Sequence, residues 1–216
     1  MKPILFNTEM VRALLAGTKT VTRRVIKDPY YIDNAEFCRA SGYAVHKGTT
    51  YTDGMPWPDR PYEENDILWV REAWGDYREY YEDGEGPYVL YKADYPDGEK
   101  TVPFPENEKT DYADAWDLPK WHPSIHMPKK YARIFLRVTD VRIERLQEID
   151  ADGVLAEGMT TGAAFCGDME IAAQEFARLW DSTIKPTERA LYGWAANPWV
   201  WVIDFERCER PEEGDV

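Results

Sequence analysis

Apolar and polar positions divide the chain into short elements. Met10, Val11, Leu14 and Leu15 recur at helical spacing behind Asn7 and Thr8, either of which can cap a helix, and Gly17 stands where that helix would end. Val21 to Ile26 reads as a strand. Residues 28–65 are rich in Tyr, Gly, Pro and Asp with little periodicity, which predicts an ordered insertion or long loops. Glu64-Asn65-Asp66 reads as a turn and Ile67 to Trp74 as a strand. Tyr88 to Lys92 is a further strand between Gly and Pro turns, and residues 94–118 read as an acidic, Pro-containing surface excursion. Ala132 to Ile143 is the strongest strand, with Ile134, Leu136, Val138 and Val141 set among Arg133, Arg137 and Arg142. Glu148 to Ala156 predicts a short helix ending at Gly158. Met169 to Trp180 predicts a longer one that turns Phe176, Leu179 and Trp180 to the core. Trp199 to Phe205 closes the pattern as a strand, and a charged tail follows Cys208. No repeat is visible. Strands separated by short helices without a βαβ rhythm predict an α+β domain built on a mixed or closed small sheet.

The 216 residues suit one domain with insertions or two small ones, and 44% hydrophobic content predicts a folded chain. No apolar run approaches the roughly 20 residues of a membrane span. The opening Met-Lys-Pro-Ile-Leu-Phe is too short for a signal peptide, so a cytoplasmic location and no membrane partner are expected. Cys38, Cys166 and Cys208 are far apart and odd in number, and His46, His122 and His126 lack ligand spacing, so neither a disulfide frame nor a metal is predicted. The net charge of −14 argues against a protein that coats nucleic acid. Its distribution changes that picture. Residues 1–27 hold six Lys/Arg against one Glu and residues 119–145 seven against two acids, while residues 62–118 hold seventeen acids against five bases. Two basic segments thus flank an acidic one. They form a local positive site if they meet, and otherwise solvate a surface.

The chemistry concentrates in Gly17-Thr18-Lys19-Thr20-Val21-Thr22-Arg23-Arg24, where one amine, several hydroxyls and two guanidinium groups follow a glycine. Lys19, a potential base, stands three residues before Thr22, a potential nucleophile. On a regular strand Lys19, Val21 and Arg23 share one face, and Thr20, Thr22 and Arg24 the other. Lys19 reads equally as a surface lysine on a turn, and Thr22 as a strand-favouring residue. Arg71 and Glu72 sit on alternating faces of a strand, one of them able to pair with Lys19 or a ligand, a cross-strand ion pair being the alternative. His126 can contact a base or a phosphate, or act structurally. Trp74, with Trp69, Trp194, Trp199 and Trp201, suits a core or a cleft wall that stacks on a flat base.

The ordered set Gly17-x-Lys19 to Arg24, Asn65-Asp66-Ile67-Leu68-Trp69-Val70-Arg71-Glu72, Ser124-Ile125-His126-Met127-Pro128, Val138-Thr139-Asp140-Val141, Leu155-Ala156-Glu157-Gly158 and Asn197-Pro198-Trp199-Val200-Trp201 resembles the ASCH family, a small β-barrel fold related to the PUA domain, in its bacteriophage and prophage form. The resemblance implies one PUA-like domain over 1–208, with flanking short helices, insertions at about 28–60 and 76–118, and a charged tail at 209–216. The loop is similar to that of ASCH enzymes that hydrolyse N4-acetylcytidine to cytidine and acetate. By that resemblance Thr22 is the nucleophile, Lys19 its base and Glu157 the acid for the departing nitrogen. Arg24, Arg71, Glu72, His126 and Trp74 would bind the substrate, with no cofactor. A modified nucleoside or an RNA base is the implied partner. The same resemblance also allows a non-catalytic RNA- or nucleotide-binding module, or a ribonuclease in which Lys19 and Arg24 stabilise phosphate charge.

Overall fold

The computed structural model describes residues 1–28, 32–33, 39, 61–76, 89–95, 101–103, 115–117, 120–159, 166 and 168–211. The expected insertions at about 28–60 and 76–118 lie mostly outside the described residues, as do Cys38, His46 and residues 212–216 of the tail. The architecture is α+β. A mixed sheet of five strands runs in the order β1-β3-β8-β9-β2, comprising β1 (Lys2–Leu5), β2 (Val21–Val25), β3 (Ile67–Arg71), β8 (Phe135–Arg145) and β9 (Trp199–Cys208). Two further ladders are antiparallel pairs, β4 (Trp74–Asp76) with β5 (Val89–Tyr91), and β6 (Thr101–Pro103) with β7 (Ala115–Asp117). Helices among the described residues include α1 (Thr8–Leu15), α2 (Ala151–Ala156), α3 (Met169–Thr183) and α4 (Arg189–Tyr192).

Most elements stand where the hydrophobic pattern puts them, and the departures have local causes. The Asn7 side chain caps α1 by accepting from Met10 N–H at 2.8 Å, and Gly17 closes that turn at φ +72°. The strand expected over Ile67 to Trp74 breaks at Glu72 and Ala73. The strand expected from Ala132 begins at Phe135, because Lys129–Tyr131 form a 3₁₀ turn first. The helix expected from Glu148 begins at Ala151, where the Asp150 carboxylate caps Gly153 N–H at 2.8 Å. Strand β1 was not foreseen, since Pro3 in a four-residue run removes the periodic signal.

By contacts the chain divides into two units. The first comprises Met1–Lys2, Ala13–Leu68 and Phe135–Val216. Here β9 pairs antiparallel with β8 on one side and β2 on the other, with Val21 opposite Asp204 and Val25 opposite Val200. Val21, Val200 and Val202 point to one face, where Val154 of α2 and Ala172, Phe176 and Trp180 of α3 close a core with Leu146 and Ile149. Full burial of such a side chain contributes roughly 1.5–3 kcal/mol, so this face fixes α2 and its C-cap residue Glu157 against β2.

The second unit comprises Pro3–Arg12 and Trp69–Ile134. Trp74 packs with Met127 and Tyr131 in a small buried cluster. Its backbone exchanges hydrogen bonds with His122 at 3.3 and 2.7 Å, and its ring lies 4.8 Å from the His122 ring and 5.2 Å from that of Tyr131.

Candidate functional site in the first unit

The turn after α1 delivers Lys19 to the end of α2. Lys19 forms an isolated antiparallel bridge with Glu157, and Thr20 N–H donates to Ala156 O at 2.8 Å. Gly158 makes the approach possible. It sits at φ +89°, and a Cβ there would lie 2.6 Å from Ala13 Cβ and 3.0 Å from Lys19 Cβ.

The Lys19 Nζ donates to Glu157 Oε2 at 2.5 Å, to Val21 O at 2.8 Å and to Glu157 O at 3.0 Å. The other carboxylate oxygen, Glu157 Oε1, accepts from Arg23 Nη1 at 3.2 Å, and Arg23 Nη2 lies 3.5 Å from Glu144. The side chains of Lys19, Arg23 and Glu157 are 0%, 3% and 5% exposed. Two cations therefore share one carboxylate away from water. Burial pushes the Lys19 amine below its ordinary value, Glu157 opposes the shift, and the guanidinium groups of Arg24 and Arg23 add to it.

The strand pleat sorts the neighbours. Val21 and Arg23 face the helices, while Thr22 and Arg24 face the other side of the sheet, beside Ile203 and Trp201 of β9. Thr22 is buried and Arg24 half-buried. Burial lowers the Arg24 pKa, against the nearby charges of Tyr62 and Glu157. Lys19 is not confined to the Arg23 face. Phe205 N–H donates to Thr20 O and Ile26 N–H to Trp199 O, so these even-numbered residues bond toward β9. The Val21 carbonyl then points off the open edge of β2, the last strand of the sheet among the described residues. The Lys19 amine donates to that carbonyl at 2.8 Å.

The remaining expected ligands belong to the second unit. Glu72 is 1% exposed and takes a bidentate bond from Arg133, 2.9 Å at each oxygen. Glu72 thus pairs with Arg133, a residue just ahead of β8, and not with Lys19. Burial still holds the Glu72 carboxyl above its ordinary range against the pull of Arg133. Arg71 donates to the Ile125 carbonyl and lies over the Trp69 ring at 5.3 Å, and its buried Nε has no hydrogen-bond partner among the described residues. His126 is exposed in a 3₁₀ turn at Ser124–His126. Trp74 is buried, and its Nε1 has no acceptor among the described residues. Among the described residues no group of three or more His, Cys, Asp or Glu could hold a metal ion, and no helix is long and apolar enough to cross a membrane.

Sequence reasoning did not single out Arg23, Glu144 or Arg133. For Arg23 pleat alternation gave the face, shared with Lys19, but not the burial. For Arg133 no signal was available, since only the fold shows that a residue 61 positions away meets Glu72.

No protein-family model, curated protein or solved structure matches this chain.

Proposed function

We propose that this chain is an ASCH-type amidohydrolase that removes an N4-acyl group from cytidine. The observation that carries the reading is the buried Lys19–Glu157 contact at 2.5 Å, which joins residues 138 positions apart. Amide hydrolysis at neutral pH needs a base and an acid together. A buried ammonium–carboxylate pair supplies both by one internal transfer. A proton moves from Lys19 Nζ to Glu157 Oε2, leaving a neutral amine and a carboxylic acid.

Thr22 Oγ then attacks the acyl carbon and gives its proton to Lys19. The C–N4 bond breaks, N4 takes the proton from Glu157, and cytidine departs. The acyl group remains on Thr22 as an ester, and the pair is again ammonium and carboxylate. A second internal transfer lets Lys19 deprotonate water, which attacks the ester, and Thr22 leaves with the proton of Glu157. Arg24, two residues from Thr22 on the same face, would stabilise the oxyanion. The position of Lys19 at the open strand edge supports its reaching Thr22 across the pleat. The mixed five-stranded sheet supports the PUA-like assignment, of which a closed small barrel is the finer expectation.

The test is incubation of the purified protein with N4-acetylcytidine, following loss of the acetylated base by absorbance. Lys19→Met and Thr22→Ala should each lower the rate by about 10²–10⁴-fold. Turnover that survives either substitution refutes the mechanism, and no turnover by folded wild type refutes the activity.

A further inference from the structure

Arg23 has no part in the reaction as written above, yet it is buried against the carboxylate that pairs with Lys19. One end of its guanidinium, Nη1, donates to Glu157 Oε1 at 3.2 Å, and the other, Nη2, lies 3.5 Å from Glu144 Oε2 on β8. Glu144 is itself held, its Oε1 accepting from Arg142 Nε at 2.7 Å, and Arg142 also donates to Asp204 of β9. Charges of alternating sign thus run from the buried carboxylate to the exposed Arg142.

The helix leaves room for this arrangement. Gly153 lies inside α2, where alanine would favour the helix. A Cβ there would lie 3.1 Å from Arg23 Nη2, 3.0 Å from Ile149 Cγ1 and 3.1 Å from Asp150 Oδ1. Engaged at both ends, Arg23 can yield to such a Cβ only by loosening Glu157 or Glu144.

The chemical consequence falls on the carboxylate. A guanidinium carries donors and no acceptor, and it stays protonated. The oxygen it faces, Oε1, therefore cannot hold a proton toward it. When Glu157 takes a proton, Oε2 is the oxygen left to carry it, and that oxygen is 2.5 Å from Lys19 Nζ.

We propose that Arg23 is a positioning residue, which anchors Glu157 Oε1 so that the proton exchanged with Lys19 resides on Oε2. Its role in turnover rests on the hydrolase reading, whereas the anchoring does not. Arg23 also bears on the pH range of the reaction. Burial, joined by the cations Arg24 and Arg23, holds the Lys19 amine below its ordinary value against Glu157. Loss of Arg23 favours the protonated amine, so the proton shared by the pair should be retained to higher pH. The other charges around the pair and Arg23 stay in place in that variant. They are Arg24 on β2 with Tyr62 near it, Arg142 and Glu144 on β8, and Asp204 on β9. Glu148, Asp150 and Asp152 complete them at the start of α2.

Two independent readouts on the full chain test this. Nitrogen NMR of the Arg23 guanidinium needs no turnover. A fork held by two carboxylates should give separate Nη1 and Nη2 signals, and averaged signals overturn the anchor. Kinetics with N4-acetylcytidine read the positioning. Arg23→Met should lower kcat about 10–100-fold, with KM held within about twofold because Arg23 lies on the face of β2 opposite Thr22. The alkaline limb of its rate profile should move to higher pH. Arg23→Lys keeps the charge and should restore that limb, yet recover only part of kcat, since one ammonium cannot replace a fork spanning two carboxylates. Gly153→Ala leaves every charge in place. It should lower kcat several-fold at unchanged KM and add no further loss to Arg23→Met, and it carries the test if Arg23→Met does not fold. An unchanged kcat in Arg23→Met or Gly153→Ala, an unmoved alkaline limb in Arg23→Met, or full rescue of kcat by Arg23→Lys overturns the proposal. A folded wild type without turnover removes the hydrolase reading alone, and the Nη signals then decide the anchor.

Discussion

Glu157→Gln tests the centre of the site most directly. The carboxylate is 5% exposed and neutralises two cations whose side chains are 0% and 3% exposed. The amide has nearly the same shape, yet its oxygen can accept from one cation only, and its NH₂ group then faces the other. Removing one partner of a buried ion pair costs about 3–5 kcal/mol. Lys19→Met behaves differently. It removes a cation that was costly to bury, and Glu157 keeps Arg23 at 3.2 Å, so the loss is that of charged hydrogen bonds, about 1.5–3 kcal/mol. In the double variant the amide no longer meets an unpaired Lys19, so the combined loss should fall short of the sum by about 0.5–3 kcal/mol. Urea denaturation of the four proteins measures this, with the slope checked for constancy so that midpoints convert to free energies. For a chain of this size 3–5 kcal/mol corresponds to a Tm lower by roughly 6–20 °C. A Glu157→Gln cost below about 1 kcal/mol, or single costs that simply add, would show that the carboxylate is not what neutralises the two cations.

Arg133→Met in the second unit should leave Glu72 buried without its bidentate partner and cost about 3–5 kcal/mol at neutral pH. With that pull gone, the Glu72 carboxyl rises further above its ordinary value near 4.5, so the folded state holds a proton that the unfolded state lacks. Stability of the variant relative to wild type should then fall as pH rises through that window and recover on acidification toward about pH 5, which urea titrations at several pH values follow. A loss independent of pH would mean that Glu72 stays ionised. Gly158→Ala should destabilise by more than Gly17→Ala. Both have positive φ, at a cost of roughly 1–2 kcal/mol, but only at Gly158 does the new Cβ meet Ala13 and Lys19, and only that variant should also impair hydrolysis. Thermal melts rank the pair, and equal shifts would count against a tight approach at Gly158.

The elements were legible because the core is made of local periodic patterns. Val21, Val200 and Val202 alternate, and Phe176 and Trp180 recur at helical spacing. The ends were less legible wherever a side chain, not periodicity, sets the boundary, as Asp150 does for α2. The resemblance gave Lys19 and Glu157 roles in one site but not their contact, since nothing in the spacing of residues 138 apart predicts a bridge. The tension over Lys19 and Thr22 came from treating Lys19 as a regular strand residue. It precedes β2, and its side chain reaches the strand edge through the Val21 carbonyl. Arg23 was hidden for the opposite reason. A charged residue on a strand reads as exposed, and only the packing of α2 and Glu157 makes it buried.

Why a buried triad of charges is retained here separates a structural role from a chemical one. Buried ion pairs are a poor source of stability, because desolvation offsets most of the attraction, and apolar replacements of similar volume are often neutral or stabilising by about 1–4 kcal/mol. If Lys19, Arg23 and Glu157 served packing alone, an apolar set would fill the same space at no loss. The combined variant Lys19→Met, Arg23→Met and Glu157→Leu is the appropriate probe. It removes all three charges together, so none is left unpaired, and the adjoining core of Val21, Val154 and Ile149 can accept the new side chains. The expected result is a folded protein within about 2 kcal/mol of wild type in urea denaturation that has lost N4-acetylcytidine hydrolysis altogether. Stability with inactivity means that the charges are kept for proton transfer. A variant that unfolds, while Glu157→Gln alone keeps measurable turnover, would assign the triad to the fold and remove the basis for treating Lys19 as the catalytic base.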